Sequence, residues 1–360
     1  MSIRKKATLI LQNGCKMEGW SFGYDGPCDG EVVFSTAMAG YTESLTDPSF
    51  SGQILCASYP LIGNCGIAPM ETDADGLLRN YESGKIHVRG LVVTDYSEEY
   101  SHWNAVGSLG AWMKEQKVPG ISGIDTRHLT QILREEGSMP GRIVPEGMDE
   151  GTFDVAPPDL ENQVALVSCK EVIRYGKGEK KVVLVDCGVT HQVLRGLVLR
   201  GVEVIRVPWN YDFNSLEWDG LFLSNGPGNP AHCQVTVENI RRAMQTAQKP
   251  ICGICLGGLL LGMAAGASAF KLKYGHRSHN QPVQQVGTNR CFITAQNHGY
   301  ALDMSTLPAG WEPYLVNMND GTNEGIRHSS KPFFSAQFHP EVSSGPEDTD
   351  FIFDDFISKL

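Results

Sequence analysis

The chain has 360 residues, 41% of them hydrophobic and 20% charged, with a net charge of −11. That length exceeds one ordinary domain, and the composition is that of a folded globular protein of two domains. There is no basic run to bind nucleic acid and no stretch of about 18 apolar residues to span a membrane.

Behind Met1-Ser2-Ile3-Arg4 the apolar run Ala7–Leu11 is short and ends at Gln12-Asn13-Gly14, so no signal peptide is expected. With ten irregularly spaced cysteines, this predicts reduced thiols and a cytoplasmic protein. Strands are expected at Ala7–Leu11, Glu31–Ser35, Gln53–Ser58 and Ile86–Val93. Helices are expected from about Asn104 to Glu115, and from a cap at Asp125-Thr126 to a stop at Gly137. Without an alternating strand–helix rhythm, this half reads as α+β over residues 1–155. A polar stretch with Pro157-Pro158, followed by Tyr175–Lys180, suits a linker over 156–180.

From 181 to 360 the rhythm changes. Lys181–Asp186 is a buried β-branched strand, His191–Arg200 a helix stopped by Gly201, and Val202–Val207 and Gly220–Ser224 are further strands. Helix Val235–Gln248, strand Pro250–Gly253 and helix Leu256–Ala265 follow, with later strands at Phe292–Ala295, Tyr314–Asn317 and Phe333–Phe338. The fold class is therefore α/β, a doubly wound sheet that binds ligands at the carboxyl ends of its strands.

Gly253-x-Cys255-x-Gly257 lies between strand and helix and is the cysteine form of a nucleophile elbow. A cysteine at a helix N-terminus is favoured as thiolate. On this segment alone a nucleophile and a buried core cysteine are both open readings. Cys252-x-x-Cys255 has no second ligand pair at zinc-site spacing, so no metal is expected. Its first cysteine belongs to the strand, which argues against a redox pair.

A nucleophilic cysteine needs a base and an orienting group. His339-Pro340-Glu341 follows an apolar run, and residues two apart in extended chain face one side. Oxyanion donors are expected from the N–H of Leu256 and from the loop Ser224-Asn225-Gly226-Pro227-Gly228. Gln296-Asn297-His298-Gly299-Tyr300 offers polar and aromatic groups for a small substrate, or else forms a capped turn.

Together these segments resemble the class I, triad-type glutamine amidotransferases over about residues 181–360, whose domain is flavodoxin-like. The first half resembles the carbamoyl-phosphate synthetase small-chain family through Gly40-Tyr41-x-Glu43-x-Leu45-Thr46-Asp47-Pro48-Ser49, Tyr59-Pro60-x-Ile62-Gly63-Asn64 and Gly123-Ile124-Asp125-Thr126-Arg127. Tyr274-Gly275-His276-Arg277-x-His279-Asn280-Gln281-Pro282 adds to this resemblance. The resemblance implies a glutaminase. Cys255 attacks the glutamine carboxamide, His339 moves protons, Glu341 orients His339, and the N–H groups of Leu256 and Gly226 hold the oxyanion. Ser49, Gly226, Gly228, Leu256, Leu259, Asn297, Gly299 and Tyr300 are the implied glutamine contacts. The implied partner is a large chain that takes the ammonia and carries ATP and Mg; no cofactor is expected in this chain, which has no P-loop.

Two places depart from the family. Gly258-Leu259 stands where many relatives have His-Gln with the glutamine on substrate, and Thr190-His191 stands for a Lys-Arg pair. The first predicts weakened or repositioned glutamine binding. The alternatives are a catalytically weakened regulatory or scaffold subunit and a stand-alone cysteine γ-glutamyl hydrolase.

Overall fold

The computed structural model describes residues 5–151, 161–246, 248–342 and 344–360. The chain divides into two compact units, the described residues of Met1–Asp73 with Leu78–Glu161, and of Ala74–Leu77 with Asn162–Leu360.

The first unit contains β1 (Lys6–Leu11), β2 (Lys16–Gly23), β3 (Cys28–Ser35), α1 (Tyr41–Thr46), β4 (Gln53–Ile62), β5 (Gly90–Tyr96), α2 (Leu109–Glu115), β6 (Pro119–Ser122), α3 (Thr126–Glu136) and β7 (Met139–Pro145). Its strands close into a barrel in the order β1-β2-β6-β5-β4-β3-β7. The ladders β3–β4, β4–β5 and β5–β6 are parallel and the others antiparallel. A cluster around Leu45, Leu55, Leu91, Val93 and Met113 fills its core.

Three strands of this unit were not expected from the sequence, nor were Ile173–Tyr175, Ala269–Gln285 and Asn323–His328 of the second unit. β2 alternates exposed and half-buried residues over most of its length, β6 is four residues long and starts with proline, and β7 carries Pro140-Gly141. Gly141 is required where β7 crosses Val32, since a Cβ there would lie 2.3 Å from a valine methyl. The helix expected from Asn104 starts at Leu109, because Ser108 is extended and caps it by accepting the N–H of Ala111. Asp125 and Gly137 bound α3 as expected. The strand expected from Ile86 begins at Gly90; Ile86 and Val88 pack in the core without joining a ladder.

The second unit contains α4 (Gln163–Val167), β8 (Ile173–Tyr175), β9 (Lys181–Asp186), α5 (His191–Val198), β10 (Glu203–Pro208), β11 (Gly220–Leu223), α6 (Gln234–Thr246), β12 (Ile251–Ile254), α7 (Leu256–Ala265), β13 (Ala269–Gln285), β14 (Cys291–Leu302), β15 (Trp311–Asn317), β16 (Asn323–His328), β17 (Phe333–Ala336) and α8 (Phe351–Ile357). The sheet order is β14-β13-β15-β16-β17-β12-β11-β9-β10-β8. Its centre, β17-β12-β11-β9-β10, is parallel. Apolar clusters around Leu223, Ile240 and Leu260, and around Leu184, Phe222 and Phe353, form its two cores.

The expected linker 156–180 contains α4 and the edge strand β8, which pairs with β10; its residues up to 160, including Pro157-Pro158, lie outside the described residues, as do Met1–Arg4. The carboxyl ends of β9, β11, β12 and β17 deliver residues 187–190, 224–226, 255 and 337–341. Strand ends of a parallel sheet are where α/β proteins bind ligands.

Candidate active site

Cys255 follows β12 and caps α7 with φ 52° and ψ −111°, a left-handed backbone unusual for a side-chain-bearing residue. Both flanking glycines are needed for this turn. A Cβ on Gly253 would lie 2.5 Å from the carbonyl of Gly257, and one on Gly257 would lie 2.2 Å from the carbonyl oxygen of Leu223. The N–H of Cys255 donates to Ala336 at 2.8 Å and that of Gly257 to Ser224 at 3.0 Å, so neighbouring strands hold the elbow. The Cys255 Sγ lies 3.7 Å from the carbonyl oxygen of Asn297.

His339 and Glu341 meet through Nδ1 and Oε1 at 2.9 Å, both buried. They do so from a turn: β17 ends at Ala336, so the expected extended geometry does not apply. The N–H of His339 donates to Ala295 on β14 at 2.9 Å, which sets the ring beside the elbow. Its Nε2 is buried without a conventional hydrogen bond. Burial opposes protonation of His339, but the Glu341 carboxylate and Cys255 hold its proton affinity well above the usual imidazole range.

Gly226 sits where only glycine fits, since a Cβ would lie 2.1 Å from the carbonyl oxygen of Cys187 and 3.0 Å from a Leu256 methyl. Among the described residues no protein acceptor takes the N–H of Gly226 or of Leu256. Two unbonded donors close to the elbow are what a developing oxyanion requires.

A residue not singled out in the sequence organises this loop. Asp186 is fully buried at the end of β9. Its Oδ1 accepts the N–H groups of Gly188 and Val189, and its Oδ2 accepts from Cys169 and Arg206. Burial opposes the Arg206 charge, but the Asp186 carboxylate outweighs it and raises the guanidinium further. Ser224 Oγ takes the N–H of Cys187 at 2.9 Å, and Asn225 Nδ2 donates to Gly188 at 3.2 Å.

Thr190 caps α5, yet its hydroxyl makes no capping bond and donates to Glu341 Oε1 at 3.4 Å. Its N–H donates to Asn225 Oδ1, also at 3.4 Å.

The remaining expected contacts fall in several places. Asn297, Gly299 and Tyr300 lie inside the twelve-residue strand β14 rather than on a turn after a strand; Asn297 pairs with Arg277 and Tyr300 with Lys271 of β13, and Gly299 falls at a register shift between the paired stretches. Gly228 has φ 82° and faces Gln163, whose Cβ would be 3.1 Å from an added methyl. Leu259 is 3% exposed within an apolar cluster with Leu223 and Leu256, and a Cβ on Gly258 would crowd Ser335 at 3.1 Å. Ser49 belongs to the first unit, in a 3-10 turn where its N–H donates to Asp47 Oδ1 at 2.8 Å. Cys252 is fully buried in β12 and burial pushes its thiol up, as expected of a strand residue.

A second buried polar group lies between the strands. His276 on β13, His298 on β14 and Glu324 on β16 bring their ligating atoms within 4.8 Å of one another. No sequence spacing announces this cluster.

Residues 183–359 match the family described as Glutamine amidotransferase class-I, and residues 9–143 match Carbamoyl-phosphate synthase small chain, CPSase domain. The Carbamoyl phosphate synthase arginine-specific small chain of Neosartorya fischeri is 47% identical, covering 99% of this chain and 80% of its own. The chain belongs to the carbamoyl-phosphate synthase small-chain family. Its relatives include longer proteins. The mouse Carbamoyl-phosphate synthase [ammonia], mitochondrial, is 51% identical over 99% of this chain and 24% of its own length. The Multifunctional protein pyr1-3 of Dictyostelium discoideum is 45% identical over 99% of this chain and 17% of its own. The chain thus spans about a quarter or less of the length of these two small-chain-containing relatives. Among the described residues no helix is long and apolar enough to cross a membrane.

Proposed function

We propose that this chain hydrolyses L-glutamine and supplies ammonia for carbamoyl-phosphate synthesis. The observation that carries the reading is the convergence of Cys255, which follows β12, with His339 and its partner Glu341, which follow β17, beside two N–H groups that have no acceptor among the described residues.

Cys255 Sγ attacks the glutamine carboxamide carbon, and the N–H groups of Leu256 and Gly226 take up the charge on its oxygen. His339 gives a proton to the departing nitrogen, and ammonia leaves a γ-glutamyl thioester. Water, losing a proton to His339, then breaks the C–S bond and releases glutamate. Glu341 holds the imidazole in the required tautomer and balances its charge.

The partner in this reading is a large chain that uses ATP, Mg and bicarbonate, and the products feed arginine and pyrimidine biosynthesis. Gly228, Asn297, Gly299, Tyr300 and Ser49 are proposed to contact glutamine. Ten unpaired cysteines suit a reducing compartment, for which we propose the cytoplasm.

A second reading rests on Leu259, an apolar side chain at a family glutamine-contact position, and on the mouse relative being named for ammonia. In that reading glutamine use is weakened and free ammonia is the better nitrogen source.

The test measures ammonia release from glutamine by the intact protein, with and without its large-chain partner. Turnover that disappears in Cys255→Ser, while ammonia-driven synthesis persists, supports the glutaminase. A folded chain with no turnover in either state overturns it, and strong activity with ammonia but feeble activity with glutamine selects the second reading.

A further inference from the structure

The buried cluster on β13, β14 and β16 contains a hydrogen-bond chain whose direction can be followed atom by atom. Thr294 donates its hydroxyl to the Gln281 carbonyl at 2.9 Å, so its oxygen accepts Gln296 Nε2 at 3.1 Å. That turns Gln296 Oε1 toward His298, 3.2 Å from its Nε2. The other ring nitrogen, Nδ1, is 2.9 Å from the Tyr300 carbonyl and donates to it. A neutral imidazole carries one N–H. The Tyr300 carbonyl and Gln296 Oε1 both only accept, so a neutral ring can donate to just one of them; with Nδ1 donating at the shorter distance, Nε2 is a lone pair facing Gln296 Oε1 and, at 3.9 Å, Glu324 Oε1.

His276 repeats the pattern. Its Nε2 faces Asp320 Oδ2 at 2.8 Å and its Nδ1 faces Glu324 Oε1 at 3.5 Å; burial opposes its protonation but the Glu324 and Asp320 carboxylates raise its proton affinity, and in the neutral ring that donates to Asp320 the Nδ1 is a lone pair. Glu324 is fully buried and accepts the Asn317 amide at 2.9 Å. His276 Nδ1 and Glu324 Oε2 are buried without a hydrogen-bond partner.

We propose that His276 Nδ1, His298 Nε2 and the Glu324 carboxylate, with Gln296 Oε1 beside them, bind one divalent transition-metal ion of the zinc class. Zinc bonds of about 2.0–2.2 Å set tetrahedral ligand atoms roughly 3.4 Å apart. Three of the separations here are 3.2, 3.5 and 3.9 Å, and the His276, His298 and Glu324 atoms all lie within 4.8 Å of one another. Each ring gives its remaining N–H to a carboxylate or a carbonyl, the outer partners that fix the tautomer of a metal-bound histidine. Extra protons on the rings serve the site less well. Charge-assisted bonds run to about 2.7–2.9 Å, shorter than either ring–Glu324 separation, and Glu324 Oε2 would stay unpartnered.

The ion joins three strands, and β16 is not a neighbour of β14 in the sheet order. His298 lies between Asn297 and Gly299, so the ion clamps the segment whose Asn297 carbonyl faces Cys255 Sγ.

The experiment uses the full chain carrying Cys255→Ser, so that the catalytic thiol cannot bind the probe. The protein is stripped with chelator, loaded with zinc or cobalt and dialysed. One ion is expected per chain, with the intense visible absorption of tetrahedral cobalt and a melting temperature that rises with zinc and falls back with chelator. Glu324→Gln and His276→Ala should each weaken retention at least about tenfold. The chelator melt on the parent protein needs neither variant to fold. No stoichiometric ion, together with a nitrogen NMR signal showing a proton on His298 Nε2, overturns the proposal, as does retention that both folded variants leave unchanged.

Discussion

Thr190 and Glu341, 151 positions apart, meet where the hydroxyl that begins α5 donates to the carboxylate oxygen that also holds His339. The same threonine gives its N–H to Asn225, the residue before Gly226. One side chain thereby ties the orienting carboxylate to the loop of the candidate oxyanion site.

Replacing that hydroxyl tests the tie. Thr190→Val keeps the shape and removes the donor, a loss of roughly 0.5–1.5 kcal/mol. We expect kcat for glutamine hydrolysis to fall about 2- to 12-fold with KM nearly unchanged. Thr190→Ser should restore most of it. Steady-state kinetics of the three proteins decide, and an unchanged kcat in the valine variant removes the role.

Gly226 has no room for a methyl group beside the carbonyl of Cys187. Gly226→Ala must push its own N–H away from the elbow. The expected result is about 10²–10³-fold lower kcat, with about 1–3 kcal/mol of stability lost to overpacking. Melting and turnover measured together separate the two effects, and a stable variant with full activity excludes Gly226 as an oxyanion donor.

Leu259 is buried among apolar neighbours. Leu259→Gln places an amide where the family resemblance leads one to expect it. If that amide reaches glutamine, KM drops by about 2- to 12-fold, while an unsatisfied amide costs about 1–3 kcal/mol of stability. A KM that rises in a folded variant shows that this position does not serve substrate binding.

In the first unit, burial pushes the His87 imidazole down to about 4, helped by Lys85. The unfolded chain takes up this proton near pH 6.5 and the folded chain near pH 4. Between those values the unfolded state binds more protons, so stability falls as pH falls through the window and is fully kept above it. The effect is on the order of 2–3 kcal/mol. His87→Gln should flatten the loss between pH 7 and pH 4, read from thermal melts; parallel curves for the two proteins would remove His87 as the cause.

Much of the site was legible because its determinants are local in the chain. Gly253-x-Cys255-x-Gly257 encodes an elbow whose sterics involve neighbours four and five residues away, plus one strand beneath. His339 and Glu341 lie two residues apart, so their contact survives even though a turn, not an extended strand, brings it about. The central strands are continuous apolar runs with both faces buried, and their helices carry recognisable starts and stops.

What the sequence by itself determined is thus the doubly wound half and the segments that carry the candidate nucleophile and its candidate base. The tertiary structure alone decided the barrel closure through β2, β6 and β7, whose polar, short or proline-bearing segments are held by partners on either side rather than by their own pattern. It also decided the contacts of Asp186 with Arg206, Thr190 with Glu341, and His276 and His298 with Glu324. These polar groups sit on separate elements and meet because strand order and register bring them together, and burial then leaves each needing the other.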